Sequence, residues 1–451
     1  MTVAAFTVLA HGIGGIRDLP VPGWLFLYGA AVVLVVSFVA LGTLWRRPLL
    51  ERPEAGSPLP PALQRVLLSR ALRVGLGGIS FALLVLVALT ALLGERSPLQ
   101  NLAPTFVYVV FWLGLVPVVV LLGNVWPLVN PWRAAADAVA WLWTRTGRSE
   151  EPVLEYPAWL GLWPGAVLLA SFTALELTYS DPSDPRALAL AICLYSAIVW
   201  MGMAVFGRRA WLANGEAFSV YFGLLGRISP LALRRGERGR EIVARPPLTG
   251  LASLRARPGT LAFVAAMLGS VAFDGISRTA WWVNRSLQLS NVSGMLFNLA
   301  GLLGAIALVA LAYLAAVTAA RMVAHREASL AGAFVASLVP IALAYAVAHY
   351  FSLLVLQGQF AITLASDPFG RGWDLLGTSD FRPRLGILSP NLIWYVQVAA
   401  LVVGHVIGLM VAHDRALSLF RSAQTTVRTQ YAMLALMVLY TVGGLWLLSN
   451  G

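Results

Sequence analysis

Four side chains able to take part in chemistry, Glu176, Asp274, His349 and Gln397, interrupt four different hydrophobic runs of the chain. A polar group in hydrocarbon is costly unless it is paired, hydrated or bound to something, so such residues mark functional sites by default. A neutral imidazole and carboxylates are also what a zinc- or iron-type ion accepts in place of thiolates. Cys193 is the sole cysteine, so any metal here would need His, carboxylate or carbonyl ligands. Three such ligands and one water suffice for a catalytic ion. No HExxH, HxH, Walker A or GxSxG pattern accompanies them.

Each residue also has a purely structural reading. Asp274 precedes Arg278 by four residues and could be spent in an ion pair on one helix face. Gly275 beside it, in FDGISRTAWW, favours a close backbone approach or a helix break. His349 follows Tyr345 by four residues, and a lone buried histidine commonly does no more than hydrogen-bond a neighbouring helix. His405, beside Gly404 in VGHVIG, reads as a packing residue. His325 and His413, in HRE and HDR, read as contacts to lipid phosphate or to the adjacent carboxylates.

The elements that must position these groups are membrane spans. With 59% hydrophobic and 12% charged residues and a mean hydropathy of +0.77, the chain leaves no room for a sizeable soluble domain. Apolar runs of spanning length lie at 22–45, 74–94, 103–123, 157–179, 187–207, 260–282, 293–320, 331–356, 391–412 and 430–449. They predict an all-α integral membrane protein, a bundle of about ten transmembrane helices forming one domain over 22–449. All 32 basic residues are Arg, and alternate loops carry 24 on one side and 8 on the other. The positive-inside rule then makes the Arg-rich loops cytoplasmic and both termini extracytoplasmic. The net charge of +12 therefore speaks for topology and anionic lipid, not nucleic acid.

At a rise of 1.5 Å per residue, Asp274 lies on the order of 10 Å, His349 about 12 Å and Gln397 roughly 9 Å below the outer surface. Glu176 sits just under that surface, so the four form one outer-leaflet set, with mainly His405 in the inner half. The cytoplasmic loop 208–258 carries ten Arg and opens with AWLANGEAFSVYFGLL (210–225), apolar enough to lie in the interface or to re-enter as a short helix. The run VWPLVNPWRAAADAVAWL (125–142) has the same order of Trp, Asn, turn residue and apolar helix. Internal duplication and simple interfacial anchoring account for that likeness equally well. The extracytoplasmic loop 358–390 reads as a lid or as a solvated connector. Residues 1–21 form an extracytoplasmic segment. If 1–10 is a cleaved signal remnant, His11 becomes a terminal amine and imidazole able to hold copper.

Through HGIGGIRDLPVPGWLFLYGA, NPWR, FDGISRTAWW, HYFSLLVLQGQ and VGHVIGLMVAHDRAL, the chain resembles, over nearly its whole length, the polytopic bacterial family named for fenitrothion hydrolase. The resemblance implies a bacterial inner-membrane hydrolase of organophosphate triesters. It carries no assignment of catalytic residues. A compatible scheme puts a divalent ion (Zn, Mn, Fe or Cu) on His349 and Asp274, with Glu176 as ligand or general base. Gln397 would orient a lipophilic small-molecule substrate, and His11 would be an optional outer ligand. Two other readings stand beside it. One is a transporter, which needs polar groups at several depths. The other is a non-catalytic membrane subunit handling copper or anchoring further subunits.

Overall fold

The computed structural model describes residues 23–51, 56–147, 151–236, 239–324, 330–420 and 422–450. His11, the 1–10 segment and His325 lie outside them. The spanning runs fold as α1 (Gly23–Leu44), α2 (Arg70–Leu93), α3 (Leu102–Leu122), α6 (Trp163–Thr178), α7 (Pro185–Phe206), α10 (Thr260–Ser277), α11 (Asn291–Ala324), α12 (Leu338–Gln357), α13 (Pro390–Leu419) and α14 (Tyr431–Asn450). Between them lie the shorter α4 (Trp126–Val129), α5 (Pro131–Arg145), α8 (Arg208–Asn214) and α9 (Ala217–Leu225). The fold is an all-α polytopic bundle.

Among the described residues, nine helices are long and apolar enough to cross a membrane, against the ten expected. The difference is α6, whose 16 residues cover only part of the 157–179 run. Pro157 accepts from Leu160 in a turn, Gly161 adopts φ +44°, and Pro164 starts the helix late. The middle of α3, Phe106–Leu113, is wound as a π-helix, a form that recurs at functional sites.

Helix α10 is the hub. Most of its residues are buried, and α6, α11, α12 and α14 pack around it. Exposed leucines and valines such as Leu296, Leu308 and Leu311 on α11 face outward, as expected of a surface solvated by lipid. The Arg-rich loop folds into an antiparallel hairpin, β2 (Leu231–Gly236) with β3 (Gly239–Ala244), and a short β1 (Ser57–Pro58) pairs with β3 on its other edge.

The runs 125–142 and 210–225 both re-enter the protein. Each follows a spanning helix that ends at a glycine with positive φ, Gly123 (+85°) and Gly207 (+80°). Any other residue would be strained at these two breaks. Each run is then a short helix, a side-chain cap and a second helix: Asn130 caps α5 and Glu216 caps α9. Helix α9 is buried along most of its length against α3, α6 and α12. An interfacial location does not describe it.

Candidate functional site

Asp274, 2% exposed, sits near the end of α10 and gathers partners from two helices. Its Oδ1 accepts from Arg278 Nη2 at 2.7 Å and Nε at 3.0 Å, the ion pair that the four-residue spacing implied. Its Oδ2 accepts from His349 Nε2 at 2.8 Å and from the Tyr350 hydroxyl at 2.9 Å, both on α12. The depth match between Asp274 and His349 is thus a direct contact. Gly275 allows a close approach and not a break: α10 runs on to Ser277, and a Cβ there would meet Leu447 of α14 at 3.3 Å.

The carboxylate fixes a proton on Nε2 of His349, which leaves Nδ1 as the nitrogen with an available lone pair in the neutral ring. Nδ1 makes no hydrogen bond to the described residues, and the side chain is 13% exposed. This is the arrangement of an oriented general base: a carboxylate holds the tautomer and would stabilise the imidazolium that forms.

Glu176, on α6, faces the same cluster. It lies close enough to Asp274 and Arg278 to feel both charges, and Tyr108, Tyr221 and Tyr350 feel its own. It makes no hydrogen bond or ion pair with the described residues. Gln397 makes no hydrogen bond to the described residues of the cluster. It is buried on α13, which packs on α12, and its Oε1 has no hydrogen-bond partner. His405 is fully buried, with Nδ1 donating to Leu401 O at 2.8 Å, and Gly404 beside it abuts Ala344 with no room for a Cβ. His413 is also buried, bonded to Gln430 Oε1 and Trp45 O and not to lipid.

The expected metal ligands do not form a metal centre in this arrangement. Both oxygens of Asp274 are already engaged by donors, and the His349 nitrogen nearest to it is one of those donors. No group of three or more His, Cys, Asp or Glu is placed to hold a metal ion among the described residues. His11 cannot be placed.

A second buried carboxylate, Glu216, escaped the sequence reading. It is 0% exposed and receives Trp126 Nε1 and Asn130 Nδ2 (each 3.1 Å), the backbone N–H groups of Phe218 and Ser219 (each 2.9 Å), and the hydroxyls of Tyr195 and Ser219. The two similar runs therefore meet at this one side chain. Tyr195 is near the middle of α7, about 15 Å from its start at the helical rise, so Glu216 lies deep in the bundle. Aromatic rings separate the two clusters: Phe172 packs against Trp112 (4.9 Å) and Phe218 (5.4 Å) and also touches Tyr108 (6.2 Å). The signal in the sequence was the paired order of Trp, Asn and turn residue, together with an acidic cap just before an apolar helix.

The loop 358–390 is folded down. Its Phe369 and Pro368 carbonyls accept from Glu95 and Leu102, Asp367 closes a turn on Arg371 and Gly372, and Asp374 accepts from Ser366 Oγ (2.7 Å) and Ser379 N (3.0 Å). These hydroxyl and amide donors, the Ser366 hydroxyl foremost, hold the Asp374 carboxyl below its ordinary range. Compared with known proteins, the chain matches no family model, no curated protein and no solved structure.

Proposed function

We propose that this chain is a multi-pass membrane hydrolase of lipophilic phosphoesters, with His349 as general base and Asp274 as the residue that orients it. The supporting observation is the Arg278–Asp274–His349 chain, centred on the buried Asp274, with Nδ1 of the imidazole making no hydrogen bond to the described residues. The family resemblance supplies the substrate class, organophosphate triesters, and a bacterial inner membrane, and the Arg asymmetry of alternate loops puts both termini on the extracytoplasmic side. Substrates of this kind partition into lipid, so a site reached between helices suits them.

In the reaction, a water oxygen attacks phosphorus while Nδ1 of His349 takes its proton. The P–O bond to the leaving aryloxide or alkoxide breaks, and the imidazolium returns the proton to that oxygen. Asp274 balances the charge on His349 during the step, and Arg278 pairs with Asp274 from the same helix. Glu176 adds a second carboxylate facing the site. A metal ion would polarise the phosphoryl oxygen if one were bound, but the engaged oxygens of Asp274 do not favour it and no step depends on it.

Turnover of a chromogenic lipophilic phosphotriester by membranes carrying the chain tests the reading. Activity lost in His349→Ala is the expected result, and equal activity in membranes with and without the chain contradicts it. Glu216 supports a second reading, a transporter, because it puts a carboxylate at a second depth. Flux of the intact triester into sealed proteoliposomes without hydrolysis would favour that reading.

A further inference from the structure

At the Arg-rich end of the bundle, α1 and α13 part to leave a groove of about 320 Å³. Its walls are Ser37, Ala40, Leu41 and Leu44, whose spacing puts them on one face of α1, and Val406 and Met410 one turn apart on α13. Trp45 and Leu49, in the segment that follows α1, form its floor. Helix α13 fixes that floor in place. Asp414 Oδ1 accepts from Trp45 Nε1 (3.0 Å) and Leu49 N (2.5 Å), and its Oδ2 accepts from Leu50 N (3.1 Å). His413 Nε2 donates to the Trp45 carbonyl at 3.0 Å. The groove is therefore a shaped feature of the fold and not slack between two helices.

Apart from the Ser37 hydroxyl and the Trp45 indole nitrogen, the side chains that line it are apolar, and it lies between two spanning helices, so hydrocarbon suits it. Its open end is different. Arg46 and Arg47 follow the Trp45 floor directly and are exposed. Arg46 Nε donates to Thr43 O (3.0 Å), which holds its guanidinium at the end of α1, and neither arginine forms an ion pair among the described residues. The neighbouring carboxylates are engaged elsewhere, Asp414 by the three N–H donors and Glu51 by Arg415. A tryptophan at the end of a spanning helix lies at headgroup level, which sets these two arginines level with lipid phosphate. The groove is thus apolar along its length and cationic at the one end that meets the polar interface.

We propose that the groove between α1 and α13 holds one acyl chain of an anionic phospholipid from the leaflet facing the Arg-rich loops, with its phosphate on Arg46 and Arg47. The guanidinium fork matches phosphate oxygens in a way an ammonium does not. From Ser37 to Leu44 the wall rises about 10 Å, enough to seat the part of the chain next to the glycerol. The lipid takes no part in the hydrolysis, whose residues lie on other helices; it packs α1 against α13.

Native mass spectrometry of the full-length chain, given equal phosphatidylglycerol and phosphatidylcholine, tests the site. Wild type should retain one phospholipid on activation, with phosphatidylglycerol favoured on the order of tenfold, in keeping with the surface attraction of two arginines. The Arg46→Gln/Arg47→Gln variant should still retain one lipid but without preference. Ala40→Phe fills the groove from α1 and should lose the retained lipid of either kind. Met410→Trp fills it from α13 and should do the same, so a folding defect in one variant leaves the test in force. Millimolar glycerol phosphate, a headgroup without a tail, should displace nothing. Lipid retained equally by wild type and a folded groove-filled variant would overturn the groove, and a preference that survives in the double arginine variant would overturn the headgroup contact. Displacement by glycerol phosphate would point to a free anion and overturn the lipid assignment.

Discussion

Asp274 and Glu216 are both buried carboxylates, 2% and 0% exposed, but they are satisfied in opposite ways. Glu216 is wrapped by neutral donors: two amides of its own helix, an indole, a carboxamide and two hydroxyls. Asp274 is held by a guanidinium, an imidazole and a phenol. The Glu216 donors have no further chemistry to offer, and the helix N-terminus stabilises the negative charge in place. The imidazole on Asp274, in contrast, keeps one nitrogen open. Burial of a carboxylate is thus no index of reactivity; the nature of its donors separates a keystone from an orienting group.

If that contrast holds, Glu216→Ala carries the largest penalty. It strands several buried donors at about 1–3 kcal/mol each, so a loss above ~5 kcal/mol is expected, comparable to the whole stability of many domains. Little folded protein should be recovered, judged by the monodisperse peak in detergent. Near-normal recovery would show that the two re-entrant runs do not depend on this side chain. Arg278→Gln comes next. It leaves Asp274 without its cation and should cost about 3–5 kcal/mol in chemical denaturation, with hydrolysis lost in parallel.

Tyr350→Phe should be milder. One neutral hydrogen bond is worth about 0.5–1.5 kcal/mol, and the His349 contact with Oδ2 stays, so most activity should remain. Loss of all activity would mean that the phenol itself takes part. The smallest effect belongs to the loop 358–390. Because Asp374 has a lowered pKa in the folded chain, its contribution is present above the ordinary carboxylate pKa and disappears as pH falls through the folded value. Amide exchange at Ser379 should therefore accelerate only below the ordinary carboxylate range, and Ser366→Ala should move that onset to higher pH. An onset unchanged by Ser366→Ala would remove the hydroxyl from the account.

Much of this was legible in the sequence, for reasons that differ by residue. Spans follow from apolar run length, since lipid demands internal hydrogen bonding over the full thickness. Asp274 and His349 could be matched in depth by counting residues from the Trp281–Trp282 belt and from Gln357, although their hydrogen bond could not. Asp274 and Arg278 share one helix, so that pair was readable from spacing alone. Tyr350 was passed over because tyrosine in an apolar helix is ordinary. Glu216 was missed because its partners Trp126 and Asn130 are some 90 positions away, and a segment of nine apolar helical residues looks the same whether it lies on the membrane or inside the protein. The start of α6 was misjudged because Pro157 and Gly161 outweighed hydropathy locally.

The central claim is that His349, set by Asp274, is the base of a hydrolytic site. The most direct test is kcat for a chromogenic lipophilic phosphotriester with purified, reconstituted wild type and His349→Gln, alongside the melting temperature of each. The account predicts a fall on the order of 10²–10⁴-fold, the usual contribution of a general base, with melting temperature nearly unchanged. Equal kcat in the two proteins would contradict it.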